Sequence, residues 1–254
     1  MLSADGIEVR FGAVRAVDGV SLEVGDGEIV GLVGPNGSGK TTFLNAVCGV
    51  VPARGRLEVA GHPVRLGAPR VVARAGIGRV FQAPQTFEAL SCIENVLLAS
   101  ADARARGLLG ATVLRPVMWR RERRRWLEAH EALALVGLEG ATATPAHMLT
   151  YGERRLLDVA RAIVSAPRVL LLDEPSAGLN DSETAALGDL LLRVHEERGV
   201  PILVIEHKID FLDRLCDRVV VLDVGRVIAT GPPDEIWRDE RVMSAYLGAT
   251  RAEG

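Results

Sequence analysis

The chain has 254 residues, of which 48% are hydrophobic, 25% charged and 4% aromatic, and its formal net charge is −3. That length suits one α/β domain, or a domain with a subdomain, rather than several independent modules. The slightly acidic balance removes any global electrostatic case for nucleic acid, and no apolar run approaches the ~18 residues a membrane span requires.

Cys48, Cys92 and Cys216 are odd in number, widely spaced and form no CxxC pair, which argues for a reducing compartment and against a disulfide scaffold or zinc site. The opening MLSADGIEVRFG is acidic early and has no apolar run, so a signal peptide is not expected. The expectation is a soluble, intracellular chain that serves a membrane only through another polypeptide. Of the 30 basic residues, 28 are arginine, and Lys40 and Lys208 are the two lysines. A lysine kept among so many arginines is a candidate for a place where a guanidinium does not fit.

In chain order, residues 7–11 and 20–24 read as short strands joined by a loop around Gly12–Gly19. Ile29–Val33 reads as a buried strand entering a turn at Gly34, and Thr41–Val50 as a helix closed near Gly49. Residues 56–60 and 77–81 are further strands, punctuated by Gly76 and Gly78. From about 89 to 165 the pattern turns helical. Ser91-x-x-Glu94 is a capping box opening one helix, and Pro116 to Val136, bounded by Gly137, carries another. The run Arg120–Arg125 admits a nucleic-acid or anionic-lipid patch, but the plainer reading is a solvated helix face, with Trp119 and Trp126 marking the covered side. After 165 come strand Val169–Leu172, helix 182–197 closed by Gly199, strand Ile202–Ile205, helix 208–215 and strand Val219–Leu222. That order predicts an α/β fold with a helical insertion between two halves.

Gly34-Pro35-Asn36-Gly37-Ser38-Gly39-Lys40-Thr41 fits the pattern G-x-x-x-x-G-K-[ST], following an apolar strand and opening a helix. Glycines let successive backbone N–H groups turn inward toward phosphates, and the helix N-terminus adds a favourable dipole. Lys40 supplies a compact charge to the β- and γ-phosphates, and Thr41 a hydroxyl to Mg²⁺, with Thr42 completing the loop's nucleotide set. The bland alternative, a glycine-rich turn capping an ordinary helix, does not account for strand, spacing, helix and rare lysine together. Such a loop is shared by GTPases, kinases, recombinases and many ATPases. The strand Val169–Leu172 narrows the field, because it ends in Asp173, placed to hold Mg²⁺, and Glu174, placed to orient the attacking water. A strand capped by two carboxylates is the alternative reading of that segment.

With these in place, the chain resembles the ABC ATPases from about residue 3 to 248. Gln82 follows a strand as the glutamine of the Q-loop does, and Leu149-Thr-Tyr-Gly-Glu153 stands at the signature position. Ser176-Ala-Gly-Leu-Asn180 resembles the D-loop, Ile205-Glu-His207 the switch-histidine segment, and Phe11 the aromatic that stacks on adenine, with Val17 as second contact. Within that family it is most similar to ATPase subunits of branched-chain amino acid importers, through Arg10-Phe-Gly12, Gly78-Arg-Val-Phe-Gln82, Tyr151-Gly152 with Arg154-Arg155, Ala177-Gly-Leu-Asn180, Leu215–Leu222 and Ala245-Tyr-Leu-Gly248.

The resemblance implies a mixed α/β P-loop core (about 1–82 and 166–248) with an antiparallel β edge, and an inserted helical subdomain at about 83–165. It implies ATP and Mg²⁺ as ligands, with Gln82 and Asp173 joining Thr41 at the metal and Glu174, His207 and Gln82 serving catalysis. Thr150 and Gly152 would face the γ-phosphate of another subunit, and Asn180 would bond across that pairing. The implied partners are membrane-spanning permease subunits, a second ATPase subunit and, indirectly, a periplasmic or extracellular substrate-binding protein, at the cytoplasmic face of the membrane and without nucleic acid. Urea, short-amide or lipopolysaccharide transport, and a soluble ABC protein, are the alternatives. Two departures stand out: the usual LSGGQ reads LTYGE, and the D-loop ends in Asn180 rather than aspartate.

Overall fold

The computed structural model describes the backbone of residues 1–100 and 115–252, and the side chains of 1–100 and 120–246. The chain divides into two compact units, residues 1–82 with 168–254, and residues 83–167.

The first unit holds two sheets. Strands β1 (Leu2–Phe11), β2 (Val14–Val24), β4 (Arg54–Val59) and β5 (His62–Pro63) form an antiparallel sheet in the order β2-β1-β4-β5. Strands β3 (Ile29–Val33), β6 (Ile77–Val80), β7 (Val169–Asp173), β8 (Ile202–Ile205) and β9 (Arg218–Asp223) run parallel, and β10 (Arg226–Gly231) closes the edge antiparallel, in the order β10-β9-β3-β8-β7-β6. Every residue of β3, β7 and β8 is buried, as expected of strands covered on both faces. Because these strands are parallel, the residues that follow β3, β6, β7 and β8 all emerge at one edge of the sheet, where open α/β sheets bind ligands.

Helix α1 (Lys40–Val47) contributes Phe43, Leu44 and Val47 to a core shared by both sheets, with Ile7, Val9, Val20 and Leu57 from one and Leu171, Leu203 and Val220 from the other. Fully burying each such side chain is worth about 1.5–3 kcal/mol, so α1 is fixed mainly by what it covers. That anchoring holds the residues at its N-terminus in place.

The elements differ from the sequence reading in particular places. The expected loop over Gly12–Gly19 is a tight hairpin between Phe11 and Val14, and β2 already runs through Gly19, where the pairing skips a residue between Asp18 and Val20. A short helix α2 (Pro69–Ala75) was not foreseen, although its signals are plain: proline at its first turn and Gly76 beyond its end, in the left-handed region at φ 100°.

In the second unit, α3 (Cys92–Ala99), α4 (Arg115–Leu135) and α5 (Tyr151–Ile163) pack on one another. Ser91 caps α3 in a capping box with Glu94. The wholly buried Asn95 side chain accepts the Phe87 N–H at 2.8 Å and donates to the carbonyls of Phe87, Leu90 and Ser91, tying down the loop ahead of α3. Along α4 the buried stripe is Ala129, Ala132, Leu133 and Val136, a helical spacing. Arg120–Arg124 are exposed, whereas Arg125 reaches Ser100 Oγ and the Leu97 carbonyl, both at 2.9 Å. Trp126 is 41% exposed and does not mark the covered side, because the stripe extends back toward Arg125. The Trp119 side chain lies outside the described residues.

Candidate functional site

The loop after β3 is shaped by two glycines. A Cβ at Gly34 would stand 2.0 Å from the Leu222 carbonyl oxygen, and one at Gly39 2.4 Å from that of Ala16. Both adopt positive φ, 146° and 104°, so no other residue could follow this path without moving neighbouring backbone. Gly39 is the N-cap of α1 with no side chain to satisfy the helix's first N–H groups, which leaves the macrodipole facing the loop. Ser38 is buried and its Oγ has no hydrogen-bond partner. Lys40 is 6% exposed, with Nζ donating to the carbonyls of Gly34 (2.8 Å) and Pro35 (2.9 Å). Burial lowers its pKa, while the nearby carboxylates of Glu174 and Asp173 act in the opposite direction. A loop with an unpartnered hydroxyl, a desolvated ammonium and an open helix N-terminus can hold a polyphosphate. Tyr246, on the helix Glu240–Ala252, is hydrogen-bonded to the Gly34 backbone.

At the neighbouring strand ends, β7 delivers Asp173, 4% exposed, whose Oδ2 accepts from Arg79 at 2.8 Å; the same guanidinium donates to Asn45 Oδ1 at 2.7 Å. Glu174 follows with a positive φ of 47°, a conformation that costs a residue with a side chain about 1–3 kcal/mol. The turn aims its carboxylate at two partners. Gln82 Nε2 donates to Oε2 at 2.6 Å, and His207 Nε2 lies 3.0 Å from Oε1. Gln82, Glu174 and His207 therefore meet, although nearly a hundred residues separate the first two in the chain. The hydroxyl-bearing Thr41 is exposed at the first turn of α1, so Thr41, Asp173 and Gln82 offer the hard oxygen donors that suit Mg²⁺.

The remaining expected residues are distributed as follows. Phe11, at the end of β1, is 51% exposed and open to stacking. Val17 corrects the expectation of a second adenine contact: it is fully buried, because strand parity turns it toward the core opposite Val9. Asn180 caps helix α6 (Asp181–Arg198), its Oδ1 accepting the Glu183 N–H at 2.9 Å, so that oxygen is engaged by its own helix. In the second unit, Thr150 caps α5. Its Oγ1 accepts the Glu153 N–H at 3.2 Å and donates to Glu153 Oε2 at 2.9 Å, and Gly152 is half-buried in the first turn. The carboxylate that departs from LSGGQ is thus the second arm of a capping box, and Thr150-x-x-Glu153 carried that signal in plain sight. Arg79 and Glu206 lie inside motif segments, and only their neighbours in space, Asn45 and Asp173 for the one and Ser176 for the other, reveal their roles.

A phosphate loop opening a helix, and a strand-end glutamate met by a glutamine and a histidine from two other strands, define a nucleotide-hydrolysing cassette of the ABC class. Residues 17–177 match the family model described as ABC transporter, and residues 226–252 match that of the branched-chain amino acid ATP-binding cassette transporter. The chain is 35% identical to the high-affinity branched-chain amino acid transport ATP-binding protein BraF of Pseudomonas aeruginosa and 36% identical to LivG of Escherichia coli, in both cases over 98% of each chain. A crystal structure of an ABC transporter's ATP-binding cassette in its ADP conformation superposes with a TM-score of 0.84 at 27% identity, covering 98% of each chain. The chain belongs to the ABC transporter family, and within it to the branched-chain amino acid transport ATP-binding proteins. It is an ATP-binding subunit with ATPase activity.

Proposed function

We propose that this chain is the motor of a transporter importing branched-chain or similar amino acids, docked on membrane-spanning permease subunits at the cytoplasmic face and paired with a second ATPase subunit. The observation that carries the reading is the likeness to branched-chain amino acid transport ATP-binding proteins across nearly the whole chain, C-terminal segment included. No helix among the described residues is long and apolar enough to cross a membrane, which fits a subunit that works through other chains.

Phe11 stacks on the adenine, and the backbone of Gly34–Thr41, with Lys40 and Thr42, holds the phosphates. The Lys40 ammonium leaves its loop carbonyls for the β- and γ-phosphates. Glu174 and His207 hold a water in line for attack on the γ-phosphorus, with ADP as the leaving group, and Gln82 senses the γ-phosphate. Thr41, Asp173 and Gln82 would hold Mg²⁺, which supplies charge neutralisation on the phosphate oxygens. Thr150 and Gly152, at the N-terminus of α5, cover the γ-phosphate bound by the facing subunit. Catalysis is then positioning plus electrostatics. A substrate-binding protein outside the membrane would deliver the amino acid.

Deleting the gene and measuring uptake tests the assignment. Loss of leucine, isoleucine and valine uptake, with urea uptake intact, is expected; unchanged amino-acid uptake with loss of urea or amide uptake would overturn it.

A further inference from the structure

Three consecutive residues leave the carboxyl end of β8, and each grips a different group around the turn that follows Glu174. Glu206 is 3% exposed; its Oε1 accepts the Ser176 N–H at 2.8 Å and its Oε2 the N–H of His207 at 2.9 Å. His207 then meets Glu174 through Nε2. Lys208 turns its ammonium onto Thr184 Oγ1 at 2.8 Å and the Leu179 carbonyl at 3.4 Å. The segment Ser176–Asn180 is therefore held near one end by Glu206 and near the other by Lys208, and the residue between those two holders is the one that touches Glu174.

The residue types fit this work. Glu206 faces two backbone donors, so it needs two acceptor oxygens. A glutamine would answer one donor and set its NH₂ against the other, at the cost of an unsatisfied buried group. Lys208 must reach a hydroxyl and a carbonyl from a narrow, half-buried position, which suits a compact ammonium better than a planar fork. That is a reason for one of only two lysines in a chain with 28 arginines.

We propose that Glu206 and Lys208 are positioning residues that gear the segment Ser176–Asn180 to His207, so that a displacement of that segment moves the imidazole relative to Glu174. This rests on the reading of Glu174 and His207 as the pair that orients the attacking water.

The test uses the full chain carrying Lys208→Met or Glu206→Gln, with kcat, KM for ATP, melting temperature and amide exchange of the peptide spanning 174–181 measured in each. The expected result is a fall in kcat of tenfold or more at unchanged KM, with faster exchange in that peptide, and no rescue by Lys208→Arg. Lys208→Met keeps the test clean should Glu206→Gln lower the melting temperature. Normal kcat in Lys208→Met, a KM that rises in proportion, or unchanged exchange alongside a lower kcat would each overturn the proposal. The underlying reading fails separately: if Glu174→Gln turns over normally, the water-orienting role is lost, whereas an inactive Glu174→Gln beside a normal Lys208→Met sinks the gear alone.

Discussion

Arg79 and Asp173 form an ion pair at 2.8 Å with side-chain exposures of only 8% and 6%. The guanidinium also holds Asn45 of α1 and lies 4.5 Å from the centre of the Phe81 ring, so one cation ties β6, α1 and the end of β7 together. Removing one partner of a buried pair leaves an uncompensated charge, which costs about 3–5 kcal/mol. Arg79→Ala should therefore lower the unfolding free energy by that order, read from urea denaturation. Arg79→Lys should recover only part of the loss, because an ammonium cannot span both acceptors as a planar fork does. A loss under about 1 kcal/mol for Arg79→Ala would mean the pair is not buried as described.

Phe11 and Val17 separate nucleotide affinity from stability. Phe11→Ala removes an exposed ring and should weaken ATP binding by about 1–3 kcal/mol, the scale of base–aromatic stacking, at unchanged stability. Val17→Ala removes a fully buried side chain and should cost up to about 1.5–3 kcal/mol of stability with ATP affinity preserved. Titration with a fluorescent ATP analogue and thermal unfolding distinguish the two; the reverse pattern would restore Val17 to the nucleotide site.

Much of the site was legible in one dimension because its parts are local. The phosphate loop, the Asp173–Glu174 strand end and the Ser91 capping box each need only a few adjacent residues and a flanking element. Val17 was misread because its contacts depend on strand parity in β2, which the Gly19 irregularity obscures. Arg79 escaped notice as a structural cation since its partners lie 34 and 94 residues away. The run Arg120–Arg125 is exposed through Arg124, as the reading of a solvated helix face expects, while its one half-buried member bonds the Leu97 carbonyl and Ser100, partners that no local pattern announces.

The segment Ala83–Glu88 has a braced backbone and outward side chains. Asp158 accepts the Gln85 N–H at 2.7 Å, Arg161 donates to the Gln85 carbonyl, and the Glu88 carbonyl accepts the His147 N–H. The side chains of Gln85 and Glu88 are exposed, which suits a rigid docking edge. Cysteines at these two positions should crosslink to a membrane subunit, as seen by mass shift on a non-reducing gel. Crosslinks that form only through Arg120–Arg124 would place the docking surface elsewhere.

Gly152 tests ATP as the link between two cassettes. A carboxylate in the first turn of α5 would add bulk and charge where a facing phosphate approaches, so Gly152→Asp should bind ATP normally but neither pair nor hydrolyse. Light scattering in ATP and Mg²⁺, with Glu174→Gln as background and with any second ATPase subunit mixed in, should show mass doubling lost in the double variant. Unchanged ATP-dependent association would rule out the role of Gly152 across the interface.

The most direct test of the whole account compares ATP binding and steady-state turnover in Glu174→Gln, measured with the transporter's other subunits present. The amide keeps the size of the side chain but cannot polarise a water as a carboxylate does. Binding should persist while turnover falls about 10²–10³-fold, the loss typical of removing a group that stabilises the transition state. Lys40→Ala, by contrast, should lose both. Near-normal hydrolysis in Glu174→Gln would contradict the account, because the carboxylate on which Gln82 and His207 converge would then not be the one that orients the water.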